Sequence, residues 1–187
     1  MTDIIKEISE DHISVIKNTI DSSHDKIIEI VNLIKYTFDN NRKVFIFGNG
    51  GSASDANHVA AEFLNRFEIE RRPLPVISLN SDVATLTAIS NDYSFSEVFT
   101  KQLFAMSTKG DLAIGISTSG QSNNVMEALG LAKSQLRMST ILFTGKLDGP
   151  DYVDITFNVN STVTARIQET HILTWHIICK MIDDLFK

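Results

Sequence analysis

The sequence has a single cysteine, Cys179, so no disulfide can form within the chain. That suits a reducing compartment. It has only three prolines, Pro73, Pro75 and Pro150, and each falls at the edge of a periodic segment. No apolar run approaches the ~20 residues of a membrane span. There is no G-x-G-x-x-G and no G-K-[ST], which removes the dinucleotide fingerprint and the P-loop. Basic residues are in deficit, 17 against 23 acids, leaving a net charge of −6. Duplex binding needs a basic face, so nucleic acid is not expected as a partner. A small phosphorylated ligand, held by a few backbone amides, stays open. The start, Met1 to Glu7, is too short in apolar residues and too acidic for a signal peptide. A cytoplasmic protein without a membrane partner is the expectation.

What is present is periodic. From Ile4 to about Thr37, apolar residues recur at three and four positions (Ile13, Ile16, Ile20; Ile27, Ile30, Val31, Ile34). This spacing predicts two helices, broken around Ser22-Ser23. Short apolar runs follow at Val44–Phe47, Val76–Leu79, Leu112–Ile116, Thr140–Phe143 and Tyr152–Phe157. Most are continuous, the mark of strands buried on both faces of a parallel sheet. Helical patterns lie between them, at about Ala53–Phe67, Asp82–Ile89 with Ser96–Met106, and Asn123–Gln135; another closes the chain from Thr164 to Phe186. The expected fold is α/β, a doubly wound, mostly parallel sheet flanked by helices. It spans residues 41–187, behind a helical extension over 1–40.

Two strand-to-helix turns carry chemistry. The first, Gly48-Asn49-Gly50-Gly51-Ser52, follows Val44–Phe47 and opens a helix. Glycines let the backbone approach an anion, and the free N–H groups of a helix start can hold it. The second, Ser117-Thr118-Ser119-Gly120-Gln121-Ser122, offers four hydroxyls around a glycine. One hydroxyl suffices for a helix cap, so four favour phosphate binding. Thr144-Gly145-Lys146 reads as an ordinary loop. Ser90-Asn91-Asp92 reads as a turn able to hydrogen-bond sugar hydroxyls. His58 and Glu62, four apart, share one helical face. Val59, Ala60, Ala61 and Phe63 around them predict a mostly buried helix, where a carboxylate needs a partner. In the last helix Gln168, His171 and His176 interrupt an apolar stripe. Gln168 and His176 lie about 12 Å apart along a regular helix, so spacing alone does not place both on one metal. Cys179 reads as core filler.

Phe47 to His58, Ser90-Asn91-Asp92, Gly115 to Gly120, and Ala165-Arg166-Ile167-Gln168-Glu169 with His171 and His176 together resemble the bacterial phosphoheptose isomerase family. Its members are single sugar-isomerase (SIS) domains with an N-terminal helical extension. The resemblance covers nearly the whole chain. It implies isomerisation of sedoheptulose 7-phosphate to D-glycero-D-manno-heptose 7-phosphate, the first step toward the heptose of lipopolysaccharide, S-layer or capsule. By matching position it assigns Glu62 and His176 as the catalytic pair. Asn49, Gly50, Gly51, Ser52, Glu62, Asn91, Asp92 and Gln168 would meet the sugar, and Ser117, Thr118, Ser119 and Ser122 its phosphate. It further implies one zinc ion on His58, Glu62, Gln168 and His176, and a homotetramer whose active sites lie at subunit interfaces. Two other readings share the fold: an isomerase of another sugar phosphate, and the regulator that binds the bacterial replication initiator. That regulator family, also similar at Asn65-Arg66-Phe67-Glu68 and Ile182-Asp183-Asp184, lacks the carboxylate and the second histidine. Glu62 and His176 therefore favour the enzyme. Ala165 stands where some isomerases carry an aspartate.

Overall fold

The five apolar runs become the five strands of one sheet in the computed structural model, which describes residues 2–187 and leaves Met1 outside the described residues. The strands are β1 (Val44–Gly48), β2 (Val76–Ser78), β3 (Leu112–Ser117), β4 (Ser139–Thr144) and β5 (Ile155–Asn158). All neighbours pair in parallel, in the order β2-β1-β3-β4-β5. Successive side chains of β1 enter opposite cores. Val44 and Ile46 pack under α1 (Thr2–Asp39), α2 (Gly51–Leu64) and α6 (Thr164–Leu185). Phe45 and Phe47 pack under α4 (Val98–Met106) and α5 (Asn123–Ser134). That two-sided burial is why the strands read as continuous apolar runs. A short helix, α3 (Val83–Asp92), packs beside α4; it is started by Asp82, whose carboxylate accepts from the Ala84 and Thr85 amides.

Three expectations are corrected. The N-terminal region is one helix, not two. Ser22 donates its hydroxyl back to the Asn18 and Thr19 carbonyls, a bond that a helix tolerates, and no glycine or proline breaks the stretch. The helix stops beyond Asp39, where Asn41 adopts a left-handed φ of 54° and the Arg42 amide returns to the Thr37 carbonyl. The second helix ends at Leu64 rather than Phe67, because Arg71 draws the Glu62 and Phe63 carbonyls toward its guanidinium. The last strand begins at Ile155, since the Asp154 carboxylate instead accepts from the Thr140 amide.

The C-terminal half of α1 belongs to the core through Ile27, Ile30, Val31, Ile34 and Phe38. Its N-terminal half lies along α6, where buried Arg166 donates to the Ile8 carbonyl and to Glu169. Ile4, Ile5, Ile8 and Ile13 remain exposed there.

Candidate functional site

In an open α/β sheet the ligand crevice lies beyond the carboxyl ends of the strands, where the strand order reverses. Here that point is between β1 and β3, and the two candidate turns follow these strands. At Gly48 a Cβ would collide with Ser52 and the Ile116 carbonyl, so the close approach demands glycine. Asn49 and Asn124 join the turns by a reciprocal amide pair, 2.8 and 2.9 Å. Asn80 braces the first turn by bonding both the amide and the carbonyl of Gly48. Asn49, Ser122 and Asn124, with Phe95 and Ser96, line a cleft of about 480 Å³.

The second turn is organised around buried Ser117. Its hydroxyl donates to Ser122 Oγ at 2.9 Å and accepts from the Ser122 amide at 3.4 Å. Gly120 needs its left-handed φ of 64°, and a Cβ there would strike Thr144 Oγ1. Ser122 stands at the cap position of α5, yet its side chain caps nothing. The hydroxyl cluster is therefore not a capping device, and it leaves donors for an anion near the positive end of α5. The turn after β4 is more than an ordinary loop: the Gly145 amide donates to the Thr118 carbonyl and braces the hydroxyl turn from behind.

A second group forms where α2 and α6 run side by side. Gln168 lies against Gly51, where a Cβ would collide with its amide. Further along, His58 Nε2 donates to Glu62 Oε1 at 3.1 Å. The His176 ring stands edge-on to His58, 5.4 Å between centroids, and stacks on Phe67 at 5.4 Å. Beyond these, Asp183 meets Arg71 at 2.6 Å. The chain thus brings His58, Glu62 and His176 together and leaves Gln168 at the crevice end. Contrary to the expected burial, the His58 and Glu62 side chains keep 47% and 25% of their exposure. The buried face of α2 is Ser52, Ala56, Val59, Ala60 and Phe63, and positions 58 and 62 turn away from it. Asp55, one turn before His58, has a carboxyl raised above its ordinary value by burial, against the pull of His58.

Two imidazoles and a carboxylate suit zinc, leaving coordination positions open. Among the described residues, however, no three His, Cys, Asp or Glu side chains converge tightly enough to hold a metal ion. Asn91 and Asp92 end α3 exposed to solvent, bonded to each other at 2.8 Å, outside the cleft. His171 is a core residue: fully buried, it donates Nε2–H to the Thr144 carbonyl, and burial pushes its pKa down to about 4. Cys179 is core too; burial first, and then Glu62 and Asp183, push its thiol up to about 12, so it is inert. Sequence reasoning missed Asn80, Asn124 and Arg71, since a lone amide or arginine carries no periodicity that betrays its partner.

A family model described as SIS domain matches residues 9–145. The phosphoheptose isomerase of Thermodesulfovibrio yellowstonii is 45% identical over 98% of this chain and 92% of its own. Among solved structures, the phosphoheptose isomerase of Francisella tularensis superposes with a TM-score of 0.92 at 36% identity, covering 98% of both chains. That of Neisseria gonorrhoeae gives 0.89 at 36% identity, with the same coverage.

Proposed function

The chain belongs to the phosphoheptose isomerases of the SIS-domain family, sugar-phosphate isomerases of heptose biosynthesis, and from that premise we propose that it converts sedoheptulose 7-phosphate to D-glycero-D-manno-heptose 7-phosphate in the cytoplasm, the first step toward a bacterial surface heptose. The observation that carries this reading is the His58–Glu62 pair on α2 with a second imidazole, His176, set against His58 from a helix more than a hundred residues away. Ketose–aldose isomerisation moves a proton between adjacent carbons through an enediol(ate). Glu62 takes the proton from C1 as general base and returns it to C2. His176 exchanges protons with the substrate oxygens and assists ring opening. Ser117, Thr118, Ser119 and Ser122 hold the phosphate, whose remote binding energy orients the reacting end. Asn49, Gly50, Gly51 and Ser52 face the sugar.

Glu62 follows Gly51 by eleven residues, about 16 Å along a regular helix, more than an extended seven-carbon sugar phosphate spans. This separation, with the exposure of His58 and Glu62, supports a site completed by a second subunit of a homotetramer. The apolar N-terminal half of α1 supplies surface for such an assembly. His58, Glu62, Gln168 and His176 are the groups that would hold zinc, in a centre that one chain leaves unassembled and that the meeting of subunits would complete. When bound, the ion supplies a Lewis acid that polarises the carbonyl.

Incubation of purified protein with sedoheptulose 7-phosphate, followed by product NMR, tests the reading. Appearance of the aldose supports it; an unchanged ketose, from protein that isomerises another sugar phosphate, overturns the substrate. For the metal, about one zinc per subunit is expected, lost on chelation together with activity and much reduced in His58→Ala. Full activity in protein shown to be metal-free removes zinc from the reaction.

A further inference from the structure

Glu62 and His176 sit on different helices and on the open side of α2, so something must fix their relative position. The α2–β2 connection, residues 65–75, carries no regular structure, yet it is anchored by two buried side chains, Leu74 in the core and Arg71 in an ion pair. Arg71 and Asp183 form an ion pair whose side chains keep 1% and 0% exposure. The guanidinium also donates to the Glu62 carbonyl at 3.0 Å and the Phe63 carbonyl at 2.9 Å, which closes the last turn of α2. The other Asp183 oxygen accepts from the Glu68 and Ile69 amides at 2.8 and 3.0 Å. These two amides follow Phe67 directly, and Phe67 is the ring stacked on His176. Asp183 itself lies on α6, two turns beyond His176.

We propose that Arg71, Asp183 and Phe67 form a positioning device that sets the Glu62 carboxylate and the His176 imidazole in register for proton transfer. One branch runs from Arg71 to the backbone of Glu62. The other runs from Asp183 through the 68–69 amides to Phe67 and so to the face of His176. A surface ion pair would serve poorly, because solvent screens it and its side chains wander. A buried pair with both carboxylate oxygens engaged is held in place by its partners, and removing either member leaves an uncompensated charge. The hydroxyl turn after β3 makes no contact with this device, so substrate grip and proton transfer are separable.

The proposal rests on Glu62 and His176 as the acid–base pair, and the experiment therefore carries Glu62→Gln beside Phe67→Leu, Phe67→Tyr and Asp183→Asn, with steady-state kinetics on sedoheptulose 7-phosphate. Phe67 is only partly buried, so its variants keep the fold even if Asp183→Asn does not. Phe67→Leu is expected to lower kcat about tenfold by freeing the imidazole, a misplacement well short of the ~10²-fold cost of a 1 Å error. KM should stay within about twofold, as for an interaction made only in the transition state. Phe67→Tyr, which keeps the ring face, should restore kcat. A folded Asp183→Asn should show the same split on a larger scale. If Glu62→Gln is inactive while Phe67→Leu turns over like wild type, the positioning role is overturned and the acid–base reading stands. Equal losses in Phe67→Leu and Phe67→Tyr, or a change in KM alone, also overturn it. If Glu62→Gln is fully active, the acid–base reading falls and this device falls with it.

Discussion

The hydroxyl turn after β3 and the proposed acid–base group on α2 and α6 are built in opposite ways. The turn is contiguous in sequence, six residues with their own internal hydrogen bonds around Ser117. It is braced by Gly145 and held to a backbone that only glycine accepts at position 120. The acid–base group draws on residues 58 to 183, and each member depends on the packing of two helices and a loop. The turn has its hydroxyl donors in place within one chain, whereas His58 and Glu62 stay partly open to solvent. Binding a phosphate needs local donors. Moving a proton needs groups whose separation is controlled and whose surroundings exclude water.

Breaking each half in a different chain is the sharpest test. Glu62→Gln is expected to cost ~10²–10⁴-fold in kcat with the fold retained. Gly120→Val, which forces a side chain into a left-handed backbone and onto Thr144, should destroy phosphate binding. If subunits share sites, mixing the two inactive proteins after partial denaturation and refolding restores activity that neither parent has. No gain in mixtures shown to contain hybrid oligomers would place both halves of the site in one chain.

A next effect separates the halves by pH. His171 underlies the hydroxyl turn through Thr144, and its folded pKa is about 4 against ~6.5 in the unfolded chain. Between these values the unfolded chain takes a proton that the folded chain refuses, so stability falls as pH drops. The loss, complete below about pH 4, is roughly 3 kcal/mol. His171→Gln, whose amide can still donate to the Thr144 carbonyl, should remove this portion of the acid sensitivity in urea unfolding at pH 7 and pH 4. An identical pH dependence in wild type and variant would refute the linkage.

Ile13 keeps 62% of its exposure on α1. Wild type should scatter light as a tetramer at micromolar concentration, and Ile13→Glu should shift it toward smaller species while leaving the helix content unchanged. The smallest effect belongs to the turn itself. Ser119→Ala should raise KM a few-fold, up to roughly tenfold for the loss of one solvent-exposed hydrogen bond, with kcat nearly constant. A fall in kcat without a change in KM would mean that phosphate contact and proton transfer are not separable after all.

Much of this was legible before any coordinates. The strands read as apolar runs because both faces of the sheet are covered, and the two turns read as sites because glycines and hydroxyls cluster at strand ends. The periodicity makes both halves of α1 helical but cannot tell a break at Ser22-Ser23 from continuity, since a serine that bonds its own helix looks the same in sequence as one that ends it. The α2 helix was expected to be buried around Glu62 from its apolar neighbours, yet only the tertiary structure shows which side of those neighbours meets the sheet.

The sequence by itself determined the strand–helix alternation, the placement of the glycine and hydroxyl turns, and the identity of the groups available for chemistry. These are local properties, set by side-chain period and by what a backbone can do at glycine. Tertiary structure alone decided that His176 meets His58 while Gln168 does not, that His171 is a strut rather than an acid or base, and that Arg71 and Asp183 lock the connection after α2. Those outcomes depend on how α2, α6 and the sheet pack together, and packing joins residues whose separation in sequence carries no signal of their contact.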